Sequence, residues 1–314
     1  MASFVIRRFV IFIASLVLAS MAVFWVLAVL PGDPAQRILG TQATPESIAK
    51  LQHELGIDRP LTTQYLDWVS GAASGDLGTS YVTRDEITPQ IRQRLKVTVP
   101  LALAGITLAA AVAIPAGVFA ASRHRQVGDT AVSILSQLGI SIPAFWAGLL
   151  LTTYVAVKWG QLPAGGFPGW GKSVPDSIRS LILPAVSLAV VQGAILTRYV
   201  RSAVLAIMRE DFIRTARAKG LTRRAALWRH GLRNAAIPVV TILGLQLAAL
   251  LAGTVVIENV FVLPGLGRML VQAIGNRDLL LVQSTTLVIT AAILAVNLVV
   301  DLAYNLIDPR LRTR

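Results

Sequence analysis

Six long stretches of the chain contain no Asp, Glu, Lys or Arg, and this pattern restricts the possible folds more than any other feature. A helix needs about 20 apolar residues to cross the hydrocarbon core of a bilayer, and every stretch is near or above that length. Prolines in the stretches disfavour strands, whereas neighbouring membrane helices can satisfy the carbonyls that a proline leaves free. The sequence therefore predicts an all-α polytopic membrane protein, a single transmembrane domain over residues 1–314 with six transmembrane helices. These helices are expected at residues 9–30, 97–122, 130–157, 180–197, 234–257 and 279–300.

Composition supports the membrane class and excludes several kinds of site. Hydrophobic residues make up 54% of the chain and charged residues 14%, with a mean hydropathy of +0.66, whereas a soluble domain is about a quarter charged. There is no cysteine, so the chain can form neither a disulfide nor a thiolate metal site. His53, His124 and His230 lie far apart and share no ligand spacing. We therefore expect no metal site.

The first apolar stretch follows Arg7 and Arg8, as the apolar part of a signal peptide would. Its 22 residues are more than a usual signal-peptide core contains, and residues 30–33 do not form a small-x-small cleavage site. We therefore expect it to remain in the protein as the first transmembrane helix.

The basic residues are distributed unevenly between the two sides of the predicted bundle. If the N-terminus is cytoplasmic, the inside segments are 1–8, 123–129, 198–233 and 301–314, and they carry 17 of the 29 Lys and Arg but 5 of the 16 Asp and Glu. The positive-inside rule then places both termini in the cytoplasm. The net charge of +13 is thus interpreted as an orientation signal, with attraction to anionic lipid. We expect no nucleic-acid partner.

The largest predicted outside region, residues 31–95, contains two amphipathic patterns. Thr44 is a typical N-cap before Pro45, and Gly56 is expected to end that helix. The second pattern, residues 61–72, carries Tyr65 and Trp68, which favour a membrane interface. The region is either a cap lying on the outer leaflet or a docking platform for an external partner.

Residues 166–173 match the phosphate-binding pattern Gly-x-x-x-x-Gly-Lys-Ser, including Lys172. A working phosphate loop requires a buried strand before it and an uninterrupted helix after it. Here a predicted membrane helix precedes the pattern, and Pro175 follows it. We therefore interpret the match as coincidental and expect no ATP hydrolysis by this chain.

The predicted inside segment 198–233 combines ten basic residues with apolar positions at helical spacing. Residues 214–220 are typical of a helix that ends at Gly220, and Thr222 is expected to begin a second short helix that runs through Arg233. A helix–glycine–helix with small residues at its elbow fits a groove on another protein. The alternative is an amphipathic helix on the lipid surface.

Seven short blocks, in order along the chain, resemble the DppB-type permease of bacterial ABC importers for dipeptides, oligopeptides and nickel. The resemblance covers nearly the whole length. Of the general importer pattern for ATPase coupling, Gly220 is kept, while Arg214, Thr215 and Ala216 stand at the Glu-Ala-Ala places. The blocks are residues 30–35, 75–80, 141–146, 162–166, 214–221, 258–267 and 308–310.

The resemblance implies a non-catalytic subunit of a larger transporter in the bacterial cytoplasmic membrane, with no catalytic residue and no cofactor of its own. A second related permease subunit, two cytoplasmic ATPase subunits or domains that bind ATP and Mg, and an external substrate-binding protein would be its partners. The substrates would be di- or oligopeptides, or alternatively nickel chelates, glutathione or another small solute. The segment 198–233 would be the ATPase-coupling loop, with contacts expected from Asp211, Arg214, Thr215, Ala216, Arg217, Lys219, Gly220 and Leu221.

A secondary transporter or channel is the alternative of a different class. No predicted span has a charged residue at its middle, so the ion relay of a secondary transporter is not indicated. Gln192, Gln246 and Asn297 are candidates for the translocation path, although such residues also form hydrogen bonds between helices. Glu258 and Asp301 are expected to be anchors near the interfaces or partners of nearby arginines.

Overall fold

The computed structural model describes residues 2–29 and 33–307, and helices dominate that part of the chain. The described residues contain no strand beyond one isolated bridge between Thr79 and Glu86. Residues 30–32 and 308–310, which belong to two of the seven blocks, lie outside the description. The helices are α1 (Ala2–Val29), α2 (Pro34–Leu39), α3 (Pro45–Leu55), α4 (Leu61–Ser74), α5 (Ile87–Ser122), α6 (Val127–Ser141), α7 (Ala144–Leu151), α8 (Val174–Ile207), α9 (Asp211–Ala218), α10 (Arg223–Ala226), α11 (Leu232–Val260), α12 (Leu266–Asn276) and α13 (Leu279–Ile307).

The prediction of an all-α polytopic membrane protein is confirmed. Five helices are long and apolar enough to cross a bilayer, namely α1, α5, α8, α11 and α13. A sixth span is present if α6 and the bent continuation formed by α7 and the π-helical segment Thr152–Lys158 are counted as one. The location of the termini in the cytoplasm remains a prediction. We refer to the end of the bundle that carries α9 as the inner end and to the opposite end as the outer end.

The third predicted span, 130–157, is not one straight helix, because the chain bends by 95° between α6 and α7. Ile142 is extended (φ −85°, ψ 119°), and Pro143 is the N-cap of α7. The ring of a proline disfavours the helical region for the residue before it, and it has no N–H to donate to the preceding turn. The 15 residues of α6 rise about 22 Å, which is less than the hydrocarbon thickness.

Several spans extend beyond the uncharged stretches that predict them. Helix α5 is 36 residues long and begins at Ile87, ten residues before the stretch 97–122. At about 1.5 Å per residue such a helix exceeds the bilayer core. Its first turns carry Arg92, Arg94 and Lys96, whose long side chains can reach the polar interface from a helix end.

Small residues allow the central helices to approach closely. A Cβ on Gly117 of α5 would lie 2.7 Å from Val200 Cβ of α8, and one on Gly139 of α6 would lie 2.8 Å from Ala194 Cβ. Membrane helices associate through such contacts because lipid is as apolar as their side chains. Helix α8 is therefore the central element, with α5, α6, α7 and α11 packed around it.

The helices of region 31–95 form as predicted at their ends. The Thr44 side chain caps α3 by accepting from the Ser47 amide, and the Ser47 hydroxyl accepts from the Thr44 amide in return. Gly56 ends the helix in the left-handed conformation (φ +65°). Trp68 of α4 does not lie on a lipid surface, because it is buried against Phe24 of α1 and its indole N–H donates to Ser284 Oγ of α13 at 3.3 Å. Helix α4 is therefore packed into the bundle through this aromatic side chain.

The elbow of segment 198–233, which is the turn at residues 219–222 between α9 and α10, is followed by a helix that differs from prediction in one respect. Helix α9 ends before Gly220 (φ +91°), and the Thr222 side chain caps α10, both as expected. The second helix, however, does not end at Arg233. Leu227 (φ −60°, ψ −53°) and Leu232 (φ −63°, ψ −38°) keep helical angles, so a π-helical segment joins α10 to α11 without a break. No glycine in a left-handed conformation interrupts the described chain between them.

Candidate coupling and translocation sites

Helix α9 has one face fixed to its own chain. Ile213 and Ala216 are buried, three residues apart on the same side of the helix, and they pack with Ala226 of α10. Met208 and Leu221 cover the edges of this small apolar cluster. The coupling candidates Ala216 and Leu221 therefore face the protein's own core and hold the elbow in shape.

The opposite face of α9 is exposed and charged. The Asp211 carboxylate accepts a hydrogen bond from Arg214 Nη1 at 3.3 Å, and both side chains are largely exposed. Such a surface pair contributes little to stability. The remaining exposed coupling candidates are Thr215, Arg217, Lys219 and Gly220.

A buried ion pair at the inner end was missed by the sequence analysis. Asp129, at the start of α6, is 4% exposed and accepts hydrogen bonds from Arg201 Nε (2.5 Å) and Nη2 (2.9 Å) of α8. The Arg125 amide donates to the same carboxylate at 3.0 Å, and His124 Nδ1 lies 3.1 Å from it. This network joins the 123–126 turn to α8 two turns before α8 ends. The sequence signal for this pair was that Asp129 is the one acidic residue in the basic loop 123–129.

Two of the three path candidates lie together. Gln246 Nε2 of α11 donates to the backbone carbonyl of Gln192 on α8 at 3.3 Å, while Gln246 Oε1 is buried without a partner in the described structure. Asn297 Oδ1 on α13 is likewise buried and unpaired among the described atoms. The sequence analysis missed Gln283 and Thr285 of α13, which also carry buried polar atoms without a described partner. The sequence could have indicated these two residues because they are polar positions within the apolar stretch 279–300.

Glu258 forms no ion pair with an arginine among the described residues, contrary to one expectation. It is fully buried, and its carboxylate accepts hydrogen bonds from Thr98 Oγ1 (2.6 Å) and from the amides of Gly267 (2.7 Å) and Arg268 (3.2 Å). Because the first amides of a helix have no partner within it, a carboxylate is favoured there. Glu258 thus caps α12 and ties it to α5.

Asp301 does pair with an arginine, as expected. Its Oδ2 lies 2.7 Å from Arg8 Nη1, and this contact joins α13 to α1 near the inner end. Both side chains are partly exposed, so the pair marks a helix contact and contributes little to stability.

Two of the blocks that carry the family resemblance contact each other at the outer end, and a third lies nearby at the same end. Gly166 donates its amide to the Phe261 carbonyl at 2.8 Å, which joins block 162–166 to block 258–267. Ser80 of block 75–80 donates its hydroxyl to buried Asp278, and Asp278 in turn accepts from the amide of Leu281 in the first turn of α13 (3.3 Å). These blocks therefore close the outer end of the bundle.

The segment 166–173 has the wrong surroundings for a phosphate loop. A π-helical segment precedes it instead of a strand in the described chain, and Gly166 and Gly169 have positive φ in open turns. The Ser173 hydroxyl accepts from the Asp176 amide and donates to its carboxylate, so it serves as the N-cap of α8. The described residues contain no cluster of three or more His, Asp or Glu that could hold a metal ion.

Comparison with known families gives matches over both halves of the chain. Residues 113–313 match the family described as "Binding-protein-dependent transport system inner membrane component", and residues 1–102 match the N-terminal part of such a component.

Relatives of known name match over the full length. The chain is 37% identical over 312 residues to a probable peptide ABC transporter permease protein of Sinorhizobium fredii, covering 99% of this chain and 100% of that protein. It is 37% identical over 336 residues to the dipeptide transport system permease protein DppB of Escherichia coli K12, covering 99% of each. Among solved structures, an inward-facing MetNI methionine ABC transporter shares the fold with a TM-score of 0.57 at 17% identity, over 70% of this chain and 96% of that one.

Proposed function

The chain belongs to the inner membrane components of binding-protein-dependent transport systems, and from this membership we propose that it forms half of the path by which di- and oligopeptides cross the membrane. It is the transmembrane permease subunit of an ATP-driven ABC importer and a multi-pass protein of the bacterial cytoplasmic membrane. The peptide substrate is supported by relatives named for peptide and dipeptide transport.

We propose that a second related permease subunit completes the path, that an external binding protein delivers the substrate, and that two cytoplasmic ATPase subunits bind ATP and Mg. This chain would then be non-catalytic. The use of Ser173 as a helix cap supports that assignment, because the hydroxyl that a phosphate loop would offer to Mg is already engaged by Asp176.

The two-faced structure of α9 is the observation that carries the coupling proposal. An amphipathic helix that binds lipid needs a free apolar face, but Ile213 on that face is fully buried against the chain itself. The exposed face offers charges, together with Phe212, which is 40% exposed and could anchor in a groove on the ATPase. A protein partner therefore accounts for the exposed surface better than lipid does.

Movement of the ATPase subunits would then shift the elbow as a rigid body. The buried Asp129–Arg201 pair connects the last turns of α8 to α6, so a displacement of the elbow would reach the bent third span. A change in the ratio of outward-open to inward-open bundles from 1:99 to 99:1 takes about 5.5 kcal/mol of differential interaction, which ATP binding and hydrolysis can supply.

For the translocation path we propose Gln192, Gln246 and Asn297, with Gln283 as an addition from the structure. Gln246, Asn297 and Gln283 each keep a buried polar atom without a described partner. Leaving such an atom unpaired costs about 1–3 kcal/mol. A peptide backbone in the path could supply the missing hydrogen bonds.

The proposed function is tested by purifying the assembly through a tag on this chain and reconstituting it in liposomes. We expect an ATPase and a second permease to co-purify, and the binding protein with a dipeptide to stimulate ATP hydrolysis more than with glutathione or a nickel chelate. Stimulation by one of the latter alone would overturn the peptide assignment. Uptake by this chain alone, abolished by an ionophore, would identify a secondary transporter instead.

The coupling role is tested with an exposed pair of substitutions. Arg214→Ala with Arg217→Ala should lower transport per ATP hydrolysed several-fold without loss of membrane insertion, because both side chains leave the apolar side of α9 untouched. Lys50→Ala, an exposed cation on α3 at the other end of the bundle, is the control and should leave the ratio unchanged. An unaltered ratio of transport to ATP hydrolysis in the double arginine variant would refute the coupling role of α9.

A further inference from the structure

A large groove opens at the inner end between α5, the last turns of α8 and the helical run α10–α11. Its volume is about 780 Å³. The walls are apolar, with Val118, Val204, Val239 and Leu243 among the lining residues. The charged residues of the groove stand only at helix ends. They are Arg123 at the end of α5 and Arg223 and Arg224 at the start of α10.

No described residue neutralises the positive charges of the three arginines at the groove. None forms an ion pair among the described residues, and the groove lining includes no Asp or Glu. Arg123 instead lies over the Phe119 ring, 4.7 Å from its centroid. Guanidinium groups gathered in this way favour an anionic group with several oxygen acceptors, such as a phosphate.

The combination of charge and apolar wall selects one kind of occupant. A soluble anion would use the arginines but not the apolar trough, and a neutral lipid would use the trough but not the arginines. Trp228 lines the same groove and is 62% exposed, as is typical of an aromatic side chain at the level of lipid headgroups. Both parts of the site fit a molecule with an acyl chain and an anionic headgroup.

We propose that this groove binds an acidic phospholipid of the cytoplasmic leaflet, with its phosphate at Arg123, Arg223 and Arg224 and an acyl chain along the trough. The proposal rests on the proposed function, in which the end of the bundle that carries α9 faces the cytoplasmic ATPase subunits. The lipid would contact Met208, which lines the groove and also packs against the Ile213 cluster beneath α9. The bound lipid would therefore support the elbow from its membrane side.

Native mass spectrometry of the assembled transporter, released from nanodiscs of phosphatidylglycerol and phosphatidylcholine, tests this site. Arg223→Gln with Arg224→Gln should lower the retained phosphatidylglycerol about ten-fold or more, since each basic residue near an anionic surface contributes about 1 kcal/mol. Arg229→Gln with Arg233→Gln is the matched control, because it removes the same charge from the same helical run outside the groove. The control should change retention less than two-fold.

A second variant separates a shaped site from a general surface charge. Ala236→Phe should fill part of the trough and lower phosphatidylglycerol retention although every arginine remains. Equal losses in both arginine pairs, or full retention in Ala236→Phe, would overturn the proposal.

The competing occupant is a protein helix, and a photo-crosslinker at Val118 detects it. A crosslink to lipid supports the proposal, whereas one to the second permease or to an ATPase subunit would refute it. These readouts do not depend on transport. Failure of the lipid site would thus leave the co-purification and ATPase results unaffected, and failure of the proposed function would show in those results alone.

Discussion

The outer end of the bundle and helix α9 at the inner end treat their charged groups in opposite ways. At the outer end, the carboxylates of Glu258 and Asp278 are buried, and each accepts hydrogen bonds at the start of a helix. At the inner end, α9 buries only apolar side chains and leaves its charges exposed. The outer end is therefore closed by contacts within this chain, whereas α9 presents exposed charged groups at the inner end, beyond the buried Asp129–Arg201 pair.

The difference has a physical cause in the helix ends themselves. The first four N–H groups of a helix need partners from elsewhere, and near the membrane water is a poor substitute. Glu258 supplies such a partner to α12 from within the protein. Helix α9 is short and its ends are open to solvent, and its position depends on the small cluster of Ile213, Ala216 and Ala226. A structure of this kind is suited to being held by a second protein.

The largest effect is expected at the outer end, for Glu258→Ala. The change leaves the amides of Gly267 and Arg268 and the Thr98 hydroxyl without their acceptor in a buried site. Unpaired buried groups cost about 1–3 kcal/mol each, so we expect a loss of at least 3 kcal/mol in the free energy of unfolding. Thermal unfolding of the purified protein measures it, with exposed Glu54→Ala of α3 as the control. Equal melting temperatures for the two variants would show that the cap is not stabilising.

A smaller effect is expected for the buried ion pair of the inner end. Asp129→Ala leaves Arg201 without its partner, and breaking a buried pair costs about 3–5 kcal/mol. The side chain of Arg201 is 26% exposed, so water relieves part of that cost, and we expect about 2–3 kcal/mol. Asp211→Ala removes an exposed Asp–Arg contact of the same end, and its exposed position predicts a change within about 0.5 kcal/mol.

Urea unfolding of the two aspartate variants, measured side by side, checks this contrast. If Asp129→Ala were as stable as Asp211→Ala, the network between α6 and α8 would not be a structural connection, and the proposed route from α9 to the third span would lose its support.

The next effect concerns function more than stability. Gly220 has φ +91°, and no atom lies within 4 Å of the place a Cβ would take, so Gly220→Ala introduces backbone strain without a clash. The left-handed conformation costs an L-residue about 1–2 kcal/mol. We expect the elbow to change its angle and transport per ATP to fall several-fold, while insertion remains normal.

Gly169 provides the matched control for this prediction at the outer end. It has φ +101° and equally open space around it. Gly169→Ala should therefore cause similar strain and leave the ratio of transport to ATP hydrolysis unchanged. A similar loss in both variants would mean that strain alone, and not the position of the elbow, governs coupling.

The features that the sequence predicted well are those decided by neighbouring residues. The N-caps Thr44 and Thr222 and the left-handed ends Gly56 and Gly220 depend on one turn of chain, and the structure has all four. The apolar stretches are equally local, because a bilayer imposes a length on each of them separately.

The features that the sequence could not predict depend on partners far along the chain. Glu258 meets Thr98 across 160 residues, and Asp129 meets Arg201 across 72. Nothing near either carboxylate indicates which residue it will meet. The bend at Pro143 is an intermediate case, since a proline in a membrane helix is tolerated or breaks the helix according to the neighbours that can satisfy its freed carbonyl. The spacing of Ile213 and Ala216, by contrast, could have indicated that Ala216 faces inward.

The smallest effect is expected for Lys172→Ala, and it bears on the outer end alone. In a working phosphate loop the lysine reaches the β- and γ-phosphates, and its loss would abolish ATP hydrolysis. Here Lys172 is exposed, its amide donates to the Gly169 carbonyl at 3.0 Å in a local turn, and Ser173 is engaged in capping α8. We therefore expect ATP hydrolysis by the reconstituted assembly to remain within about two-fold of the unaltered protein, a ratio equivalent to less than about 0.5 kcal/mol. Complete loss of hydrolysis would place an ATP site in this chain and at the end of the bundle that its own contacts close, and the distinction between the two ends would then fail.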